Sequence, residues 1–486
     1  MINVAQMMPQ YEITDADKKR QADIAYAWKA YEGMLNPPLV PMDDQPDDNV
    51  LANYIEDKVE AGKDFLFGKE VEISVEDGVS QDVQDFLDAT WGEKETRIPL
   101  LQELYINGSL AGQAFLRIMP QTDGSFRLVA LDPACICIQT APQDCKTVLC
   151  YCIEYCSEEQ VAGQPTQIYY REEIQRIDPD QDGDEGDPFA DTDASWQIQH
   201  WTRQGDRGAW MAAGDPIIWP YPFSPIFTNQ HMVRPNSFWG KPTVTRNLIH
   251  LNEALNVSNS NIQKLGRVTS GPVVYATGTG LMDIDHEPGH IVIMPTPDGK
   301  IEAVNIAADI PSLQSAADRL QSRIDEQTGI PGIATGRASA MPGGNMSGIA
   351  IELLFMSMIK RMDTERCLYG KLIIDVSQAL LILNKMSADI KLTLNWQSPL
   401  PADDTASWQA ALLEQQVGVS DQTILEERGY DAEEEMERNQ TEDAQKMINF
   451  SRGQGMPPAQ PQMQDNQGAS TGQEQGNSSP FIGRSE

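Results

Sequence analysis

Apolar side chains recur at helical spacing through much of this chain, and alternating stretches separate the helical ones. Residues 16–34 and 50–66 read as helices, the second with Leu51, Tyr54, Ile55, Val59 and Phe65 near a 3.6-residue period. The run NPPLVPMDDQPDD breaks the chain between them. FGKEVEIS predicts a short strand, followed by helices over 80–91 and 94–106, the latter stopped at Asn107-Gly108. GQAFLRIMP, FRLVAL, QIYYREEIQRI and SWQIQHWTR alternate as strands do, and predict an antiparallel sheet packed on the helices.

The second half follows a different order. Residues 241–268 predict a helix with an apolar stripe (Leu248, Leu251, Leu255, Ile262) and a neutral polar one (Asn252, Asn256, Asn259). A β-rich insert over 269–310 contains the turn Pro297-Asp298-Gly299, and a helix over 311–328 carries Pro311 just inside its start. The stretch TGIPGIATGRASAMPGGNMSG has almost no large side chains, so it cannot pack a core. It leads into one long helix ending at Leu383, which at roughly 1.5 Å per residue spans about 50 Å. A strand (DIKLTLNW), a loop (QSPLPADD) and short helices to residue 450 follow, the last opening with Asp431 and Glu434 as an acidic capping box. Residues 451–486, rich in Gln, Gly, Pro and Ser, are predicted to be disordered.

Charge and composition narrow the chemistry. Across 486 residues there are 72 Asp+Glu against 36 Lys+Arg, a net charge of −36. Tight phosphate binding needs clustered cations, so this balance opposes a protein that grips nucleic acid. It remains compatible with one that DNA slides past. The first 30 residues carry no apolar signal core, and Lys360, Arg361, Asp363, Glu365, Arg366, Lys371 and Asp375 interrupt the long helix. No membrane partner and a cytosolic site of synthesis are therefore expected.

Six of the seven cysteines fall between Cys135 and Cys156. Their close pairs are C-x-C, which in a strand puts both sulfurs on one face, and the segment reads as a hairpin turning near 141–144. Reduced cysteines serving as small core hydrophobes fit this pattern, with a metal or redox site as the alternative. Asp178, Asp180, Asp182 and Gly183 open like a calcium loop, but position twelve is Phe189, which favours a solvated acidic loop.

Two catalytic patterns fail on local grounds. HEPGH places His286, Glu287 and His290 as a zinc protease motif would, but Pro288 and Gly289 oppose the helix that motif requires. FWGKPT has Pro242 where a phosphate loop runs into Ser or Thr, and GNMSG has the wrong order for a nucleophile elbow. No catalytic residue, metal or cofactor is assigned. A metal-dependent hydrolase built on the histidine cluster or the cysteines stays as a remote alternative.

The order of IEDKVEAGKDFLFGKEVEI, LYINGSLAGQAFLRI, LVALDPACICI, HLNEALNVSNSNIQKLG, TGIPGIATG, SGIAIELLFMSMIKR and LNWQSPLPADD resembles the portal proteins of tailed double-stranded DNA bacteriophages, of the siphophage type. The resemblance extends over about residues 50–450. It implies an α+β portal fold of long helices and small antiparallel sheets that forms a ring, with wing, stem, clip and crown regions. On this chain the wing would be 1–240, the first stem helix 241–268, the clip 269–310 and the second stem helix 311–336. A tunnel loop at 337–347, a long wing helix and strand at 348–402, crown helices at 403–450 and the tail at 451–486 complete the division.

The implied function is a homo-dodecameric portal vertex of the virion capsid, assembled in the host cytoplasm. Its channel would pass double-stranded DNA during genome packaging and ejection. Implied partners are the terminase large subunit, major capsid or scaffold proteins, and head-completion or tail adaptor proteins. The tunnel loop comprises Arg337, Ala338, Ser339, Ala340, Met341, Pro342, Gly343, Gly344, Asn345, Met346 and Ser347, with Arg337 its one charge and the first candidate for DNA contact. Partner docking would fall on Asp283, Asp285, His286, Glu287 and His290. The clip span 269–310 holds six acids and one base, and 403–443 holds thirteen acids and two bases. The helix 241–268 has four bases and one acid, and nothing in the sequence assigns Lys264 or Arg267 to DNA. A capsid-associated adaptor or scaffold without a channel is the alternative.

Overall fold

The computed structural model describes residues 9–40, 46–76, 78–161, 164–177, 195–270, 273–277, 300–304, 310–337, 348–387, 390–399 and positions 415, 420 and 438. The chain divides into two units, Met1–Pro401 and Ala402–Glu486. Gln415, Ser420 and Arg438 are the only described residues of the second, so the crown helices and tail read from the sequence lie outside the described residues.

Helix α1 (Asp15–Tyr31) starts at a reciprocal cap: Thr14 Oγ1 accepts from the Asp17 N–H and the Asp17 carboxylate accepts from the Thr14 N–H. Helix α2 (Tyr54–Phe67) is capped by Asn53 and leads into strand β1 (Val71–Val75), then α3 (Gln81–Trp91) capped by Ser80. Helix α4 (Lys94–Ala111) runs through Asn107-Gly108, where the sequence predicted a stop, and ends at Gly112 with φ +83. The reason lies far away in the chain. A Cβ at Gly108 would overlap the Tyr369 hydroxyl and come within 3.2 Å of His231, so this glycine permits close approach and Gly112 supplies the left-handed stop.

Strands β2 (Gln113–Pro120) and β3 (Phe126–Leu131) form an antiparallel pair, and β10 (Ile226–Gln230) completes a three-stranded sheet on the other edge of β2. A larger antiparallel sheet holds β4 (Ile136–Thr140), β5 (Val148–Val161), β6 (Gln164–Ile177), β7 (Ser195–Gln204) and β8 (Met211–Ala212) in sequence order, with β9 (Ile217–Trp219) also on β7. The cysteine hairpin is β4–β5, with Cys137 opposite Cys152 and Ala141 N–H bonded to Thr147 O.

Helix α5 (Arg246–Ser270) is followed by the strand pair β11 (Val273–Thr277) and β12 (Lys300–Val304), then α6 (Ile310–Thr328). Helix α7 (Gly348–Leu383) is 36 residues long, and β13 (Leu392–Trp396) returns to pair with β1, Val71 opposite Trp396. The predicted architecture of long helices and small antiparallel sheets is the one observed. Among the described residues no helix is long and apolar enough to cross a membrane.

Two apolar cores carry the frame. The larger buries Phe67, Leu104, Phe115, Ile136, Ile174, Tyr369, Val376 and Leu380, and so joins α2, α4, α7 and both larger sheets. The smaller buries Ala27, Ile55, Val59, Leu248, Leu255 and Ile324, joining α1, α2, α5 and α6. Each fully buried Leu, Ile or Phe contributes about 1.5–3 kcal/mol relative to exposure.

Candidate functional site

Of the residues expected to act on DNA or partners, Arg337 is described. Ala338, Ser339, Ala340, Met341, Pro342, Gly343, Gly344, Asn345, Met346 and Ser347 lie outside the described residues, as do Asp283, Asp285, His286, Glu287 and His290. So does most of the acidic loop that opens with Asp178. What can be built is the base from which the 338–347 segment departs.

That base is made where α6 ends. Gly329 (φ +69) turns the chain out of the helix, residues Gly332–Thr335 form a short 3-10 turn, and Gly336 (φ +78) turns it again. Lys58 reaches across from α2 with its side chain 1% exposed. Its ammonium donates to Ile330 O at 2.8 Å and pairs with Asp325 Oδ1 at 2.7 Å. Burial pushes the Lys58 pKa down, and the Asp325 carboxylate works against that shift. The other carboxylate oxygen, Asp325 Oδ2, pairs with Arg337. The guanidinium expected to face DNA is therefore folded back over Gly332, where an added Cβ would fall 2.5 Å from Arg337 Cζ. From α7, Ser357 Oγ donates to Gly329 O at 3.1 Å and Arg361 Nη1 donates to Thr328 O at 2.7 Å.

Arg361 belongs to a buried polar knot that fixes α7 against α4. Its Nε pairs with Glu365 Oε1 at 2.7 Å, and Nη2 donates to Thr243 Oγ1 at 2.5 Å and His231 Nε2 at 3.1 Å. An arginine can only donate, so His231 Nε2 is an acceptor and its ring proton sits on Nδ1, 2.9 Å from Tyr369 Oη. Burial, then the neighbouring guanidinium, holds the His231 pKa well below its ordinary value. Burial pushes Glu365 up and is opposed by Arg361, while the hydroxyls of Tyr105 and Tyr369 are pushed up by burial and the Glu365 charge. Removing one partner of such a pair costs about 3–5 kcal/mol, because it leaves an uncompensated buried charge. Chemically, the arrangement ties elements together.

The polar stripe of α5 has a specific use. Asn252 Oδ1 accepts the Tyr54 N–H at 3.2 Å, Asn256 Oδ1 the Ala52 N–H at 3.1 Å and Ser260 Oγ the Val50 N–H at 2.9 Å. Four helical residues rise about 6 Å and two extended residues about 6.6 Å, so the periods match and residues 50–54 lie as an extended strap along the helix. This is why α2 begins at Tyr54 rather than at residue 50. Ser260, not Asn259, supplies the third rung. Further along the helix, Arg267 grips Asp48 through two bonds, Nε–Oδ1 at 2.8 Å and Nη2–Oδ2 at 2.6 Å, which holds the Asp48 carboxyl below its usual range.

Three of the six hairpin cysteines pack as small apolar groups, whereas Cys135 and Cys145 are half-buried and Cys156 is exposed. Cys137, Cys150 and Cys152 are buried under Tyr11, and burial raises Cys137 to about 11 and Cys150 to about 12. A buried carboxylate, Glu173, accepts the N–H groups of Gln10 and Tyr11 at 3.0 and 3.1 Å, which seats the N-terminal segment over them.

The family model described as "Phage portal protein, SPP1 Gp6-like" matches residues 16–211 and 221–448. Among solved structures, a chain of "Virion of native gene transfer agent (GTA) particle" is similar at TM-score 0.44 and 11% identity, over 84% of this chain and 94% of that one. A chain of "Neck of native GTA particle computed with C12 symmetry" is similar at TM-score 0.45 and 12% identity, over 84% and 94%. No curated protein matches.

Proposed function

The chain belongs to the phage portal protein family, SPP1 Gp6-like, and from that premise we propose that twelve copies form a ring whose channel passes double-stranded DNA. The observation that carries this reading is the family match across both halves of the chain, 16–211 and 221–448. A 53.9 kDa chain cannot by itself surround a duplex. A duct therefore requires a closed ring with head-to-tail interfaces. The net charge of −36 suits a passage through which DNA moves, because each firmly neutralised phosphate adds affinity and hence drag.

In this reading residues 1–240 with α7 form the wing, α5 and α6 the stem, 269–310 the clip, 337–347 the channel loop and 403–450 the crown. The clip, with Asp283, Asp285, His286, Glu287 and His290, docks the terminase during packaging and head-completion or tail adaptor proteins afterwards. Capsid or scaffold proteins hold the ring at one vertex of the virion, after assembly in the host cytoplasm. The ring catalyses nothing, and the motor supplies the energy. Negative-stain imaging of the purified chain tests this: rings with a central hole are expected, and monomers or open filaments would overturn the channel.

A further inference from the structure

We propose that Asp325 and Gly332 form a releasable latch for Arg337, which exchanges between the Asp325 carboxylate and a DNA phosphate. This rests on the channel reading of 337–347.

The two cations on Asp325 are not equivalent. Lys58 is 1% exposed and holds both Asp325 and Ile330 O, so its departure would strand a buried ammonium. The Arg337 side chain is 23% exposed, against 1% for Lys58, and Arg337 directly precedes Ala338 in the chain. When it leaves, Asp325 keeps Lys58 and the guanidinium passes into water, so neither partner is left unpaired. Lys58–Asp325 is thus the permanent half of the site and Arg337 the exchangeable half. Arg337 is the one charged residue between Asp325–Glu326 and Glu352, so the exchange adds or removes the whole cationic charge of that stretch. A phosphodiester suits the vacated fork because guanidinium binds phosphate and carboxylate oxygens in the same paired geometry.

Gly332 makes the latch testable without deleting the charge. A Cβ there meets the movable end of Arg337 rather than backbone, so Gly332→Ala displaces the guanidinium and leaves Lys58–Asp325 in place. The experiment uses assembled full-length rings and a linear double-stranded DNA fragment, with association measured against salt after negative stain has verified rings. Gly332→Ala is expected to bind more tightly than wild type with a steeper salt dependence. Arg337→Gln is expected to bind more weakly, its log–log slope shallower by about 0.9 for each phosphate that is no longer neutralised. An unchanged slope in Arg337→Gln overturns the latch. So does a Gly332→Ala chain that fails to fold, or one that binds no better than wild type. Absence of rings in the wild-type protein overturns the channel reading instead.

Discussion

His231 shows how one buried side chain ties stability to pH. Both its nitrogens are engaged, Nε2 by the donors Arg361 and Thr243, and burial with the Arg361 charge opposes a second ring proton even though Glu365 Oε1 lies 3.6 Å from Nε2. The unfolded chain accepts that proton near pH 6.5. Because the folded-state pKa is depressed, stability is flat above about 6.5 and falls as pH drops below it, by at most about 1.4 kcal/mol per pH unit. Glu365 acts with the opposite sign, since burial pushes its folded pKa up. We expect chemical denaturation midpoints of the wild type to fall between pH 7.5 and 5.5. His231→Gln should start lower and lose much less over that interval; an equal loss in both proteins would place the pH dependence elsewhere. None of this was legible in the sequence, where His231 stands alone between strand and loop, 138 residues from Tyr369.

Among the elements, α5 gives the clearest case of a pattern seen before its purpose. The sequence displays Asn252 and Asn256 at helical spacing, and that spacing sets their shared face. The extended strap that they bind lies some 200 residues earlier, and only the fold brings it alongside. Asn256→Ala leaves the Ala52 N–H without its partner and is expected to cost about 1–3 kcal/mol. Asn259→Ala should be near neutral, and amide exchange at Ala52 and Tyr54 should quicken in the first variant alone. Equal exchange in both would mean that the strap is held by its side chains. Helix α4 carries the converse lesson. Asn107-Gly108 has the composition of a helix stop, but the glycine is there for Tyr369 and His231 to approach, and the helix continues to Ala111.

For the whole molecule, the base of the 338–347 segment is tied to α2 by Lys58 and to α7 by Ser357 and Arg361, apart from the Arg337–Asp325 pair. Such a base keeps its geometry when the residues beyond it change. Deleting Ala338–Asn345 is therefore expected to leave ring assembly intact and to impair packaging or retention of DNA. Normal genome length and retention in particles carrying the deletion would reduce the segment to a linker.

What the sequence determined by itself is the set of properties that local chemistry fixes. These are helix and strand periods, the cysteine hairpin, the order helix–β insert–helix–Gly-rich segment–long helix, and through that order the family. Tertiary structure decided which polar groups find each other. Arg337 stands between Gly and Ala in the sequence, and it is paired in the fold because the turns at Gly329 and Gly332–Thr335 bring it back onto Asp325 of α6, twelve residues earlier. Strand β13 likewise meets β1 across more than 300 residues. Periodicity is a local property of the backbone, whereas charge pairing and strand partnership depend on distances that exist only once the chain has closed on itself.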